Sequence, residues 1–367
     1  MTTYLIRRSI EGFFVLALAS FLIYTILVLA PGGPLDSIKF ASGGSGRQPL
    51  TTADVDRLKK LYKLDKPWPI NYLVWLFDPS DTTTLNDQDE VVAKGVNINV
   101  GPIHIQGSGI LNGDLGRSIV RERGRPVTDV IGARIGQTLI LMSAALILSL
   151  LIAFPIGIIS AIRQYSKLDY TVTTFSFVGL SMPTFWLGLM FIIFFAVIPK
   201  QLHDYNGMPW MPYLPPGNIT DVDRDDVLNR AYHLILPVAV LAFVNIAGWS
   251  RFVRSSMLEV MKQDYVRTAW AKGLAIRAVI LKHALRNALI PLITILALAL
   301  PGLVQGAIIT EAVFAYSGMG RLYLDAVTQL DFPLAMGFLM IITTLVVVSN
   351  LLADVLYAVV DPRIRYS

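Results

Sequence analysis

The side chains able to do covalent or metal chemistry are few in this sequence, and their spacing does not suit it. No cysteine occurs among the 367 residues, which removes thiol nucleophiles, disulfides and thiolate-bound metal. His104, His203, His233 and His283 are scattered along the chain, without the short separations that metal ligands need. Gly43-Gly44-Ser45-Gly46 has the form of a catalytic-serine tetrapeptide, but it lies in a polar stretch rather than in an apolar helix. Asp221-x-Asp223-x-Asp225 opens like a calcium loop, yet Asp226 stands where the turn glycine belongs and Tyr232 where the bidentate glutamate belongs. No Gly-x-x-x-x-Gly-Lys-Ser/Thr run exists, so the chain has no phosphate cradle of that kind. The expectation is a protein with no catalytic residue, no metal and no cofactor of its own.

The polar residues with a suggestive arrangement lie between 264 and 291. The run Asp264-Tyr265-Val266-Arg267-Thr268-Ala269-Trp270-Ala271-Lys272-Gly273-Leu274 continues to His283-Ala284-Leu285-Arg286-Asn287-Ala288-Leu289-Ile290-Pro291, basic and helix-forming, between two long apolar stretches. A short helix that seats in a groove on a partner is anchored by side chains at helical spacing. Ala269, Ala271 and Gly273 permit close backbone approach, Tyr265, Trp270 and Leu274 supply anchors, and Gly273 ends one helix and allows the turn to the next. Basic charge by itself equally suits a juxtamembrane helix resting on anionic lipid.

The elements that must hold this segment are membrane helices. The chain is 54% hydrophobic and 16% charged, with a mean hydropathy of +0.57. A soluble domain averages about 45–50% apolar and ~25% charged, so the excess needs a solvent other than water. Apolar runs near 10–30, 137–161, 174–198, 233–250, 289–313 and 334–359 each approach the ~20 residues that cross a bilayer. The fourth is short, and its helix is expected to continue into the polar 251–262 stretch. The first follows Arg7-Arg8 and precedes Pro31-Gly32-Gly33-Pro34 rather than a small-x-small cleavage site, so it reads as a retained helix.

Basic residues in short loops set the orientation. Arg7 and Arg8, Arg163 and Lys167, and Arg363 and Arg365 fall on one side. The fourth loop adds Arg251, Arg254, Lys262, Arg267, Lys272, Arg277, Lys282 and Arg286 against Glu259 and Asp264. Both termini and the 251–288 loop are therefore expected in the cytoplasm, and 31–136 outside. That external loop reads as helical over 51–77, interrupted at Pro67 and Pro69, and as a β-hairpin over 90–107, where apolar and polar residues alternate about Gly101-Pro102. Residues 137–367 form the core. Of the intramembrane prolines Pro155, Pro183, Pro237, Pro291 and Pro301, Pro183 is the one favoured to face a path; most such prolines are tolerated kinks. Glu311 and Asp354 lie near helix ends, and intramembrane acids usually face a cavity or a partner.

Several segments together resemble ABC importer permeases of the dipeptide/oligopeptide (peptide/nickel) family, specifically the B-type subunit. These are Tyr4-Leu5-Ile6-Arg7-Arg8, Gly113-Asp114-Leu115-Gly116-Arg117-Ser118, Ser181-Met182-Pro183-Thr184-Phe185-Trp186, Glu311-x-Val313-Phe314 with Gly318-Met319-Gly320, Asn350-Leu351-Leu352-Ala353-Asp354 and Asp361-Pro362-Arg363-Ile364-Arg365. The 264–291 run is similar to that family's cytoplasmic Glu-Ala-Ala loop, although the triplet falls on Arg267-Thr268-Ala269 and the glutamate is absent. The resemblance covers nearly the whole chain in order.

It implies an all-α, six-helix, type I ABC importer permease in a bacterial or archaeal plasma (inner) membrane, importing di- or oligopeptides. Glutathione, nickel chelates and oligosaccharides are the family's other solutes. It also implies a second homologous permease, two cytoplasmic ATPases carrying ATP and Mg, an external solute-binding protein and surrounding lipid, with no nucleic acid. Tyr265, Arg267, Thr268, Ala269, Trp270, Ala271, Lys272, Gly273 and Leu274 would couple to the ATPase, and Met182, Pro183, Phe185 and Glu311 would lie along the translocation path. A secondary transporter would need intramembrane charges or broken helices in repeats. An intramembrane protease would need a serine and a histidine within helices, and neither pattern is seen.

Overall fold

The computed structural model describes residues 2–29, 67–77, 98–100, 103–105, 110, 113–118, 120, 122, 124–205, 208–218, 226–288 and 290–360. The expected helix over 51–66 and most of the 78–109 insertion lie outside these. The helices are α1 Thr2–Leu29, α2 Trp68–Phe77, α3 Val127–Ile162, α4 Lys167–Ser181 and α5, which runs Thr184–Ile192, through a π-turn Ile193–Val197, into Ile198–Tyr205. They continue as α6 Val227–Met261, α7 Asp264–Ala271, α8 Ile276–Ala278 with its π-helical extension Val279–Ala284 and the short turn Leu285–Ala288, α9 Ile290–Gln305, α10 Ile308–Val313, α11 Met319–Thr328 and α12 Phe332–Val360. Two short strands, β1 Ile98–Val100 and β2 Ile103–Ile105, pair antiparallel with Val100 opposite Ile103.

The chain divides into two compact units, one of 1–5, 134–321 and 348–367, the other of 6–133 and 322–347. In the second, aromatic side chains join α1 to α2. Phe21 meets Trp68 and Tyr72 at 5.6 and 5.3 Å between ring centroids, Tyr24 meets Trp75 at 5.1 Å, and the Ser20 and Tyr72 hydroxyls lie 2.8 Å apart. This helix begins directly after Pro67. The amides of Ile70 and Asn71 both donate to the Pro67 carbonyl, and Pro69 sits in the first turn, where no amide donor is required. In the same unit the Gly-Asp-Leu-Gly loop is tied down by buried Asp331, which accepts from Ser118 Oγ at 2.5 Å and the Val120 amide at 3.1 Å.

The larger unit is built on close helix approach through small residues. A Cβ on Gly157 would lie 2.6 Å from the Ser250 carbonyl oxygen, and one on Gly179 2.9 Å from Ala247 Cβ. The Ser176 and Ser250 hydroxyls meet at 3.3 Å beside these contacts. α6 runs on through the polar 251–261 stretch, 35 residues in all, as its sequence suggests.

Among the described residues five helices are long and apolar enough to span a bilayer. The fifth apolar run is divided at Gly306, whose φ of +78° ends α9, and the third is divided at Met182-Pro183. Pro155 and Pro237, by contrast, lie inside continuous helices.

Candidate functional site

The loop after α6 folds on itself before it offers anything outward. In α7, Val266 and Ala269 are buried against Val279, with Val260 of α6 packed on the same cluster. Ala269, read from the sequence as a residue for close partner approach, is thus turned inward. Tyr265, Trp270 and Leu274 are exposed, Trp270 at 43%, and Arg267, Thr268, Ala271, Lys272 and Gly273 are exposed with them. Gly273 has φ +72°, its amide donates to the Trp270 carbonyl at 2.9 Å, and Leu274 reaches back to Ala269. This is a glycine-terminated helix end, in which only a left-handed residue returns the chain. Nothing lies within 4 Å of the position a Cβ would take, so torsion rather than space demands glycine here. Ile276 and Leu281 add two exposed apolar side chains on the following turn.

The break at Met182-Pro183 places extended backbone, with ψ 130° and 133°, inside an apolar helix run. Irregular backbone at membrane depth is tolerated only where protein buries it or water reaches it. Met182 packs on the cluster of Leu187, Leu236, Val240 and Phe314. Pro183 and Phe185 are exposed, Phe185 at 49%.

Glu311 is placed differently, at 0% exposure. Its Oε1 accepts from Thr138 Oγ1 at 3.2 Å and from the Ala307 amide at 3.3 Å, and its Oε2 accepts from the Arg321 amide at 2.9 Å. The Thr138 hydroxyl in turn accepts from the Met319 amide at 2.7 Å. The carboxyl group therefore closes the α9–α10 break at Ala307 and satisfies donors in the first turn of α11 that lack helical partners.

A second carboxylate, Asp169 near the start of α4, was not singled out from the sequence. It is buried and accepts Nε and Nη2 of Arg254 on α6 at 2.5 and 2.8 Å, Ser160 Oγ at 2.5 Å and the Tyr165 amide at 2.9 Å. The Arg254 guanidinium, through these hydrogen bonds, holds the Asp169 carboxyl well below the usual carboxylate range. A lowered folded-state value means the pair's stabilisation is present above the unfolded value of about 4 and is lost only as pH falls through the folded one. The pair therefore stays ionised between pH 5 and 8. The two residues are 85 apart in sequence, and only an acid in an otherwise basic loop marked the site.

Broken helices packed through small residues, five of them long and apolar enough to span a bilayer among the described residues, carry a self-folded basic loop. Residues 153–366 match the binding-protein-dependent transport system inner membrane component family, and the chain belongs to it, as the permease subunit of an ABC importer. It is 37% identical to the oligopeptide transport system permease protein AppB of Bacillus subtilis over the full length of both chains. It is 38% identical to the probable D,D-dipeptide transport system permease protein DdpB of Escherichia coli, over 78% of this chain and 88% of that one. The dipeptide transport system permease protein DppB of Escherichia coli is 36% identical over 70% and 78%. Among solved structures, the inward-facing MetNI methionine ABC transporter shares the fold, with a TM-score of 0.50 and 17% identity over 65% of this chain and 99% of that one.

Proposed function

We propose that the chain forms half of the translocation path of an ATP-driven importer of di- or oligopeptides and is moved by separate ATPase subunits. The observation that carries this is the α7 helix end: a left-handed Gly273 turn, braced from within by Val266 and Ala269, presenting Tyr265, Trp270 and Leu274 outward. Such a rigid knob fits a groove on a soluble partner. ATP and Mg belong to that partner. A second, homologous permease would complete the path, with Met182, Pro183 and Phe185 along it, and an external solute-binding protein would deliver the peptide. Glu311 holds the break in the fifth helix rather than meeting substrate.

Affinity purification of the full complex from its own membranes tests this reading. An ATPase is expected to co-purify, and peptides are expected to stimulate its hydrolysis and compete for uptake. Absence of an ATPase, or indifference to peptides, would overturn the reading or its substrate. Both termini and 251–288 are assigned to the cytoplasm. In this cysteine-free chain, Thr128→Cys and Ser255→Cys both fall at exposed positions. An impermeant thiol reagent is expected to label only Thr128→Cys in intact cells; labelling of Ser255→Cys instead would invert the topology.

A further inference from the structure

We propose that the Asp169–Arg254 pair is a positioning clamp that makes the coupling loop and the broken third helix move as one body, so that separating the two residues uncouples ATP hydrolysis from transport. The proposal rests on the reading of the α7 end as the ATPase contact.

The clamp sits between two levers. Arg254 is seven residues before Met261, the last residue of α6, or about 10 Å along the helix at 1.5 Å per residue. There Val260 packs directly on Val266, Ala269 and Val279 of the coupling loop. Asp169 is thirteen residues before Met182, about 20 Å along α4, and Met182-Pro183 is the break assigned to the path. Displacement of α7 therefore reaches α6 through apolar packing and reaches α4 through the carboxylate.

The carboxylate ties more than those two helices. Ser160 belongs to the end of α3 and Tyr165, at φ +62°, to the turn that follows it. One acid thus gathers the ends of α3, α4 and α6. Nearer the membrane, α4 and α6 meet at Ser176–Ser250 and Gly179–Ala247. Phe175 against Phe243 at 4.7 Å and Arg251 over the Phe177 ring at 4.6 Å extend the contact of the same two helices, but neither is a paired hydrogen bond. Two parallel hydrogen bonds from a guanidinium to a carboxylate fix register and orientation together, and that is what a lever end requires.

The test uses the complete complex in membranes, comparing wild type with Asp169→Asn, Arg254→Gln, the double variant and Arg254→Lys. Three quantities are read: ATPase bound per permease, ATP hydrolysis and peptide uptake. Bound ATPase is expected to stay at the wild-type level and hydrolysis within about twofold. Uptake is expected to fall by about tenfold or more, within the usual ~5–150-fold span of coupling between sites. The double variant should be no worse than the more damaged single one, since both remove the same interaction. Arg254→Lys keeps the charge but not the paired donors and should recover part of the uptake. Loss of the ATPase from the variant complexes would show a merely structural pair and overturn the proposal. Unchanged uptake, or effects that add in the double variant, would overturn it equally. Failure of the underlying ATPase reading is distinguishable, because the wild-type complex itself would then lack the ATPase.

Discussion

Gly273→Val is expected to abolish uptake in membranes that still contain the permease. At φ +72° a β-branched side chain is a steric outlier, and the left-handed region costs an ordinary L-residue about 1–2 kcal/mol. Because nothing stands within 4 Å of the missing Cβ, the chain escapes the cost by changing backbone conformation rather than by moving a neighbour. That redirects Leu274 and the outer end of α7. Gly273→Asn, which tolerates the left-handed region, should retain most of the uptake, a contrast that separates torsion from bulk. Trp270→Ala removes an exposed aromatic of the kind that anchors interfaces at about 2 kcal/mol or more, about a thirtyfold loss of affinity at 1.4 kcal/mol per decade. Co-purified ATPase should fall accordingly. If the loop instead rests on anionic lipid, neutralising Arg267, Lys272 and Arg277 together should hurt more than either change. Normal uptake in Gly273→Val and Trp270→Ala, with failure only in the charge variant, would sink the coupling assignment.

What was legible in the sequence was whatever local periodicity or backbone chemistry dictates. The long apolar runs and the continuation of α6 past Ser250 follow from composition and helix propensity, and the left-handed turn at Gly273 follows from its residue type. Burial that depends on a distant partner was not legible. Ala269 reads as a small residue suited to close approach, and only Val279, ten residues on, shows that it faces its own loop. Asp169 and Arg254 are unremarkable charges until α4 and α6 bring them together. Glu311 illustrates the same limit: an acid in an apolar run marks importance, but not whether the importance is to substrate or to fold.

For Glu311 the two roles predict opposite behaviour, and the fold role is expected to dominate. Glu311→Ala would strand the Ala307 and Arg321 amides and the Thr138 hydroxyl around a fully buried site. Each orphaned buried polar group costs about 1–3 kcal/mol, so three of them remove a large share of the ~5–15 kcal/mol net stability of a typical domain. Glu311→Gln keeps the shape, but its amide nitrogen must face either the Thr138 and Ala307 side or the Arg321 amide, and at least one backbone donor then meets a donor. The cradle is equally intolerant from the other side. A Cβ on Gly318 would lie 2.5 Å from the Glu311 carboxyl carbon, and one on Gly320 2.7 Å from the Ile308 backbone, so Gly318→Ala must push out a group that three hydrogen bonds hold in place. Both Glu311→Ala and Gly318→Ala should therefore lower the amount of permease in the membrane and its thermal midpoint in detergent, with Glu311→Gln intermediate. A substrate-contacting carboxylate behaves otherwise. Glu311→Gln would then leave expression and melting unchanged while raising the KM for peptide, and Gly318→Ala would do little; that result would return Glu311 to the translocation path.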